Sequence, residues 1–194
     1  SYNCWGKKNK PGLIFVHGGM AHADWWNFIT PYFLKTHRVI AMNLGGMGDS
    51  EWRKEYSTET WGLEIEGVCK KEKLKKPIII GHSLGGMCGV YAASVMKKSL
   101  YGLVIVDTAI LPPSDKPPKF DFKIRANKTY RSLKEIKSRF RLVPGQIDAL
   151  GYIMDYIAEK SIKKNKGGWT WKFDPNYMKI FTSESFLERQ AVYR

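Results

Sequence analysis

The chain is poor in acidic residues, in cysteine and in long apolar runs. Its 194 residues include only three cysteines, Cys4, Cys69 and Cys88, an odd number without metal-binding spacing. A disulfide framework and a zinc module are therefore excluded, and reduced thiols in the cytoplasm are favoured. No apolar run reaches the length, about 18 residues, that a membrane-spanning helix needs. We expect no membrane partner, no metal site and no cofactor.

The shortage of acidic residues leaves a large positive charge. Lys and Arg number 32 against 18 Asp and Glu, so the formal charge is +14. Nucleic acid or an anionic membrane could bind such a chain, and an acidic portion outside it could balance the charge. The lysines, however, fall in short clusters without interleaved aromatic residues, which is typical of a solvated surface. We therefore expect no nucleic-acid partner. The clusters lie at residues 7–10, 70–76, 97–98 and 160–166.

Hydrophobic residues make up 43% of the chain, so a globular core is expected. Short β-branched runs alternate with segments of helical spacing, and this alternation predicts an α/β fold, a parallel sheet with helices on both faces. The predicted strands are Gly12–Val16, Arg38–Met42, 78–80 and 103–106, and the predicted helices are 25–34, 61–73 and 84–96. In such sheets the functional site lies at the carboxyl ends of the strands. The residues that follow those ends include His17, Gly19, Asn43, Ser83 and Asp107.

The alternation stops after Asp107, where proline-rich breakers are followed by apolar residues at helical spacing. The breakers lie at 111–113 and 116–118, and the predicted helices at 132–140 and 146–158. We interpret residues 1–111 as a partial α/β core and residues 112–194 as a helical region laid over the sheet.

The turn at residues 81–85 contains a candidate nucleophile. The strand at 78–80 breaks at Gly81-His82-Ser83-Leu84-Gly85, and apolar residues at helical spacing follow. A serine in such a strand-to-helix turn is held in a strained conformation that exposes its hydroxyl, and flanking glycines let strand and helix approach. The amide of Leu84 would point the same way and stabilise an oxyanion. An ordinary glycine-rich turn is the alternative, but the flanking strand and helix favour Ser83 as a nucleophile.

Two more glycine-rich segments precede this turn, His17-Gly18-Gly19 after the first strand and Gly46-Met47-Gly48-Asp49-Ser50 after the second. In this order and with this spacing, the motifs resemble those of the α/β-hydrolases over residues 5–190, most specifically over 12–108. The segment from 139 to 175 is similar to the helical cap of esterases and C–C hydrolases of that family.

The resemblance implies that Ser83 is the nucleophile and that the amides of Gly19, Met20 and Leu84 form the oxyanion hole. A serine rather than an aspartate at the elbow implies an acyl-enzyme path through an ester, a thioester or an activated C–C bond of a small-molecule substrate. Trp25 either packs or lines the acyl pocket. His17 orients the oxyanion loop or, alternatively, takes part in substrate binding or catalysis.

The chain departs from the family at the catalytic base. The triad of this fold runs serine, acid, histidine, yet no histidine follows Ser83. His82 adjoins the serine but is expected to point away from it, and Asp107 is either the acid or a turn residue. We therefore expect the base to lie outside this chain, and the chain alone to be inactive or very weakly active.

The family strand order would place the four strands as second, first, third and fourth, with both sheet edges bare. Bare edges invite pairing with another chain, so self-association is a further expectation. From these departures we expect the chain to be a fragment, either a partial gene product or one piece of a larger protein. The leading hypothesis is a serine hydrolase, and the alternative is a non-catalytic binding or interaction module that keeps the fold without the triad.

Overall fold

The computed structural model describes residues 1–108, 124–143, 145–146 and 148–181. Five strands form its central sheet: β1 (Tyr2–Trp5), β2 (Gly12–Val16), β3 (Arg38–Met42), β4 (Ile78–His82) and β5 (Gly102–Val106). They lie in the order β1-β3-β2-β4-β5. The four strands predicted from the sequence are confirmed, in the expected order.

The two edges of the sheet differ. The four predicted strands pair in parallel, and β1 runs antiparallel to β3 with Tyr2 opposite Met42. The expectation of two bare edges is therefore wrong on this side, because β1 covers β3. At the other edge β5 pairs only with β4 among the described residues. Its side chains Val104, Ile105 and Val106 are 47%, 36% and 40% exposed.

One face of the sheet is covered by two helices, α1 (Thr58–Lys71) and α2 (Leu84–Met96). Ser57 is the N-cap of α1. Its hydroxyl accepts a hydrogen bond from the Thr60 amide at 3.1 Å and so satisfies one free N–H of the first turn. Apolar side chains of both helices, such as Trp61, Ile65 and Cys88, are buried in one cluster with alternate strand residues, such as Ile14 and Ile40.

The opposite face is covered by two 3₁₀ helices, Ala23–Trp26 and Thr30–Phe33. Phe15 of β2 packs against Trp26 and Phe33, with ring centroids 4.9 and 5.7 Å apart. The expected continuous helix over 25–34 is wrong. Because Pro31 has no amide hydrogen, it cannot donate to a carbonyl of the preceding turn, and a continuous helix would be interrupted there. Pro31 lies instead in the first turn of the second 3₁₀ helix, where no such donor is needed.

Beyond β5 the chain forms α3 (Leu133–Lys137), α4 (Gly151–Lys160) and a hairpin of β6 (Ile162–Asn165) and β7 (Gly168–Trp171). The sequence predicted helices at 132–140 and 146–158 and no strand in this region, so the hairpin was not expected. Gly168, with a φ of 142°, follows the turn, and the alternating Trp169-Thr170-Trp171 suits a strand. The predicted breakers at 111–113 and 116–118 lie outside the described residues.

In the described ranges, no helix combines the length and the apolar character that crossing a bilayer requires.

Candidate active site

Ser83 lies between β4 and α2 in the conformation that the elbow predicts. Its φ and ψ are 51° and −119°, a region that residues with a side chain rarely occupy. Its amide donates to the Val106 carbonyl at 3.0 Å, and its carbonyl accepts the Thr108 hydroxyl at 2.9 Å. These hydrogen bonds tie the strained turn to the end of β5. Sequence reasoning missed Thr108, because a threonine after a strand carries no distinct signal.

Glycines on both sides of Ser83 allow the turn to close. A Cβ on Gly81 would collide with the Gly85 carbonyl oxygen, and a Cβ on Gly85 would lie 2.5 Å from the carbonyl oxygen of Val16 and 2.6 Å from that of His17. The start of α2 therefore lies against the end of β2. This close approach brings the Leu84 amide, at the N-terminus of α2, next to the loop that follows β2.

His17 supports that loop from inside the protein. Its ring is 1% exposed, its Nε2 accepts from the Leu44 amide at 3.1 Å, and its Nδ1 therefore donates to the Gly18 carbonyl at 2.7 Å. Burial lowers the pKa of His17 to about 3, so the ring is neutral at pH 7. Both ring nitrogens are occupied within the protein, an arrangement that fits the predicted role of orienting the loop.

The loop of residues 17–20 lies directly against the elbow. A Cβ on Gly18 would lie 3.2 Å from the Ser83 Cβ, and Met20 takes a φ of 61°. A Cβ on Gly19 would lie 2.7 Å from the Tyr177 hydroxyl. Tyr177 is 4% exposed, and burial raises its pKa to about 12, so it stays a neutral hydroxyl beside the loop. Sequence reasoning missed Tyr177, which is 158 positions from Gly19 and part of no motif.

No described residue makes a hydrogen bond with the Ser83 hydroxyl; only the backbone groups of Ser83 are bonded. Beside the elbow, His82 Nε2 lies 3.9 Å from Asp107 Oδ2, and the two side chains are 38% and 87% exposed. Asp107 stands at the end of β5 with a φ of 48°. Its place fits both predicted roles, acid and turn residue. No group of three or more His, Cys, Asp or Glu in the described ranges could hold a metal ion.

A cavity of about 290 Å³ opens beside Gly19 and Met20. The segment after β2 contributes Trp25, and the chain beyond β5 contributes the remaining lining residues: Arg139, Phe140, Arg141, Leu142, Val143, Ser161, Trp171 and Phe173. Trp25 was predicted either to pack or to line an acyl pocket. Its side chain lies at the wall of this cavity, which also includes Gly19 and Met20 of the predicted oxyanion loop.

His22 connects the segment after β2 to the end of α4. Its ring is 2% exposed, and its Nε2 donates at 3.0 Å to the Ser161 hydroxyl, which itself donates to the Ile157 carbonyl at 2.7 Å. The other ring nitrogen lies 3.4 Å from Asp24 Oδ2, and this contact with His22 lowers the pKa of Asp24. His22 therefore helps to hold the two sides of the cavity together.

Comparison with known proteins agrees with the fold. A sequence profile described as the alpha/beta hydrolase fold matches residues 11–143. A putative esterase/lipase of Haemophilus influenzae is 25% identical over 104 residues, and protein phosphatase methylesterase 1 of Bos taurus is 31% identical over 132 residues. The alignments cover 54% and 63% of this chain and 36% and 35% of those proteins. The chain thus aligns with about a third of each.

Among solved structures, the thioesterase domain from the curacin biosynthetic pathway superposes with a TM-score of 0.77 at 20% identity. The superposition covers 99% of this chain and 73% of that domain, and at this identity it bears on the fold alone. The profile match extends over most of the chain, from β2 to the edge of the cavity. The chain belongs to the α/β-hydrolase family, and its relatives are esterases and other hydrolases.

Proposed function

We propose that the protein to which this chain belongs is a serine hydrolase with Ser83 as its nucleophile, acting through an acyl-enzyme on an ester, a thioester or an activated C–C bond. The observation that carries the proposal is the backbone of Ser83, which is held at a φ of 51° at the start of α2 and beside the loop 17–20. A serine held in this strained conformation suits a nucleophile, because the strain directs its hydroxyl and the following amide toward one carbonyl group of a substrate.

In the proposed reaction, Ser83 Oγ bonds to the carbonyl carbon of the substrate, and the carbonyl electrons move onto its oxygen. The amides of Leu84 and of Gly19 or Met20 donate hydrogen bonds to that oxyanion. Collapse of the intermediate breaks the bond to the leaving group, and water then hydrolyses the acyl-enzyme. The Ser83 proton needs an acceptor. We propose that this base comes from outside the described residues, since none of them hydrogen-bonds to the hydroxyl.

Labelling with an alkyl fluorophosphonate tests the nucleophile. Ser83 Oγ attacks phosphorus, a P–O bond forms and fluoride leaves, so labelled protein gains a fixed mass that peptide mass spectrometry locates. We expect labelling at Ser83, none in Ser83→Ala, and full labelling in Ser94→Ala, a matched control at the far end of α2. Labelling elsewhere, or equal labelling of Ser83→Ala, would contradict the proposal.

A non-catalytic binding module is the second candidate, and it is favoured because no described residue makes a hydrogen bond with the Ser83 hydroxyl. The two candidates differ in whether Ser83 can be acylated. Because an oxyanion hole retains some rate without the triad histidine, a hydrolase lacking its base should still be acylated slowly. A protein that binds small esters but is never labelled at Ser83 would be the module.

We also propose that copies of this chain associate through the β5 edge of the sheet, and that the protein works in the cytoplasm. Exposed apolar side chains at 104–106, and the lack of a second strand beside β5 among the described residues, support the first proposal, since such edges accept further strands. Three free thiols support the second. Sedimentation equilibrium of the chain and of Val104→Lys tests the association: equal monomer fractions would contradict it.

A further inference from the structure

The part of the cavity wall that the chain beyond β5 contributes carries two positive charges. This far wall consists of residues 139–143 together with Trp171 and Phe173, and it includes Arg139 and Arg141. The described residues that line the cavity include no Asp or Glu. Most of the remaining lining is apolar, so the cavity combines an apolar interior with two guanidinium groups.

Neither arginine is neutralised by a described residue. Arg141 Nη1 donates to the backbone carbonyls of Ser138 at 2.9 Å and Phe140 at 2.6 Å, which holds the side chain without cancelling its charge. The guanidinium of Arg139 makes no hydrogen bond or ion pair within the described ranges. Two other arginines are paired, since Arg38 contacts Glu72 and Arg53 Nη1 lies 2.5 Å from Glu64, whereas Arg125 and Arg131 form no ion pair with a described residue. What distinguishes Arg139 and Arg141 is that both line one cavity.

The general surplus of charge does not account for this arrangement. Most of that surplus is lysine in solvated clusters, whereas two arginines converge here on one cavity next to the oxyanion loop. The planar guanidinium fork matches the geometry of a carboxylate or phosphate, and it is weakly hydrated, so it binds such groups at apolar boundaries. A cavity of about 290 Å³ has room for about ten water-sized groups at about 30 Å³ each.

We propose that the substrate of Ser83 carries a second, anionic group, a carboxylate or a phosphate, at the end of a short apolar arm, and that Arg139 and Arg141 bind it. This inference rests on the proposed function of Ser83. The apolar lining would hold the arm, and the arginines would hold its charged end while the reacting carbonyl lies at the oxyanion loop.

Two fluorophosphonate probes with the same alkyl arm test the proposal, one ending in a carboxylate and the other in its methyl ester. The measured quantity is the ratio of their second-order labelling rates at Ser83. We expect the carboxylate probe to react faster, and the ratio to fall about tenfold in Arg139→Gln/Arg141→Gln, the loss expected for charge-assisted hydrogen bonds. Added salt should reduce the ratio in the unaltered chain, because the arginines are exposed.

Lys75→Gln/Lys98→Gln is the matched control, since it removes two exposed charges at the opposite end of the sheet, before β4 and β5. Its ratio should equal that of the unaltered chain. Equal rates for the two probes, or a ratio that the arginine variant retains, would overturn the anion site and leave the nucleophile standing. Absence of all labelling would instead count against Ser83.

Binding by calorimetry completes the test without relying on Ser83. Glutarate and inorganic phosphate are titrated separately into the chain and into both double variants. Binding of one of them that is lost only in Arg139→Gln/Arg141→Gln supports the site and shows whether a carboxylate or a phosphate fits. Failure of both to bind overturns the proposal.

Discussion

The two sides of the candidate site are built by different means. The elbow wall, Gly81–Gly85 with the loop 17–20, reaches the cavity through Gly19 and Met20 and is positioned by backbone segments so close that a Cβ on Gly81 or Gly85 would clash. The far wall is positioned by contacts between side chains. For example, the ring centroid of Trp171 lies 6.3 Å from that of Tyr130 and 6.2 Å from that of Phe140. Backbone packing holds an atom within a fraction of an ångström, whereas side-chain packing tolerates replacement. The first suits reaction chemistry and the second suits substrate choice.

The largest loss of stability is expected from a substitution that adds a methyl group at the elbow. Gly85→Ala would force a Cβ to 2.5 Å from the Val16 carbonyl, and no side-chain rotation relieves a clash with backbone. We expect a loss of at least about 3 kcal/mol in the free energy of unfolding, or failure to fold, measured by urea denaturation.

Gly67→Ala is the control for this prediction, because nothing lies within 4 Å of its Cβ position on α1. There a methyl group should stabilise the protein by about 0.5–1 kcal/mol through helix propensity. Similar stabilities for the two variants would show that the elbow wall yields as readily as a solvated helix surface.

The next largest effect is expected for the dependence of stability on pH, through His17, which supports the loop 17–20. His17 has its pKa lowered from 6.5 to about 3 by burial, so between these values the unfolded chain binds a proton that the folded chain does not. The free energy of unfolding should therefore fall as the pH decreases from about 6.5, by about 1.4 kcal/mol per pH unit from this group.

Urea denaturation from pH 7 to pH 4.5 measures this slope. The slope should be shallower in His17→Gln and unchanged in His37→Gln, whose ring is not buried. Equal slopes in all three proteins would mean that other groups account for the acid sensitivity.

A smaller effect is expected at the far wall. Trp171→Ala removes ring contacts with Tyr130 and Phe140 from a half-buried site, and a loss of about 2 kcal/mol is expected, less than for a fully buried tryptophan. Tyr32→Ala, at an 83% exposed position, should change stability by less than about 0.5 kcal/mol. A loss for Trp171→Ala that matches Gly85→Ala would remove the distinction between the walls.

Local patterns predicted much of the elbow wall. The strands, the elbow and the loop after β2 follow from residues within a few positions of each other, since β-branched runs and glycines act locally. The hairpin of β6 and β7 was missed because its lysine-rich first strand lacks the alternation of a half-buried strand. The contact of Tyr177 with Gly19 was missed because it joins distant parts of the chain. The site assignments at Gly19, Met20 and Leu84 remain predictions.

The sequence by itself determined where the four parallel strands lie along the chain, the glycines around Ser83 and the absence of a histidine after Ser83 in this chain, because these depend on residue type and near neighbours. Only the tertiary structure decided that β1 covers one edge of the sheet, that His17 is a neutral buried support, and that Arg139 and Arg141, which no described residue neutralises, line the same cavity as Gly19 and Met20. Those features depend on burial and on which distant side chains meet, and neither is written in any short stretch of the chain.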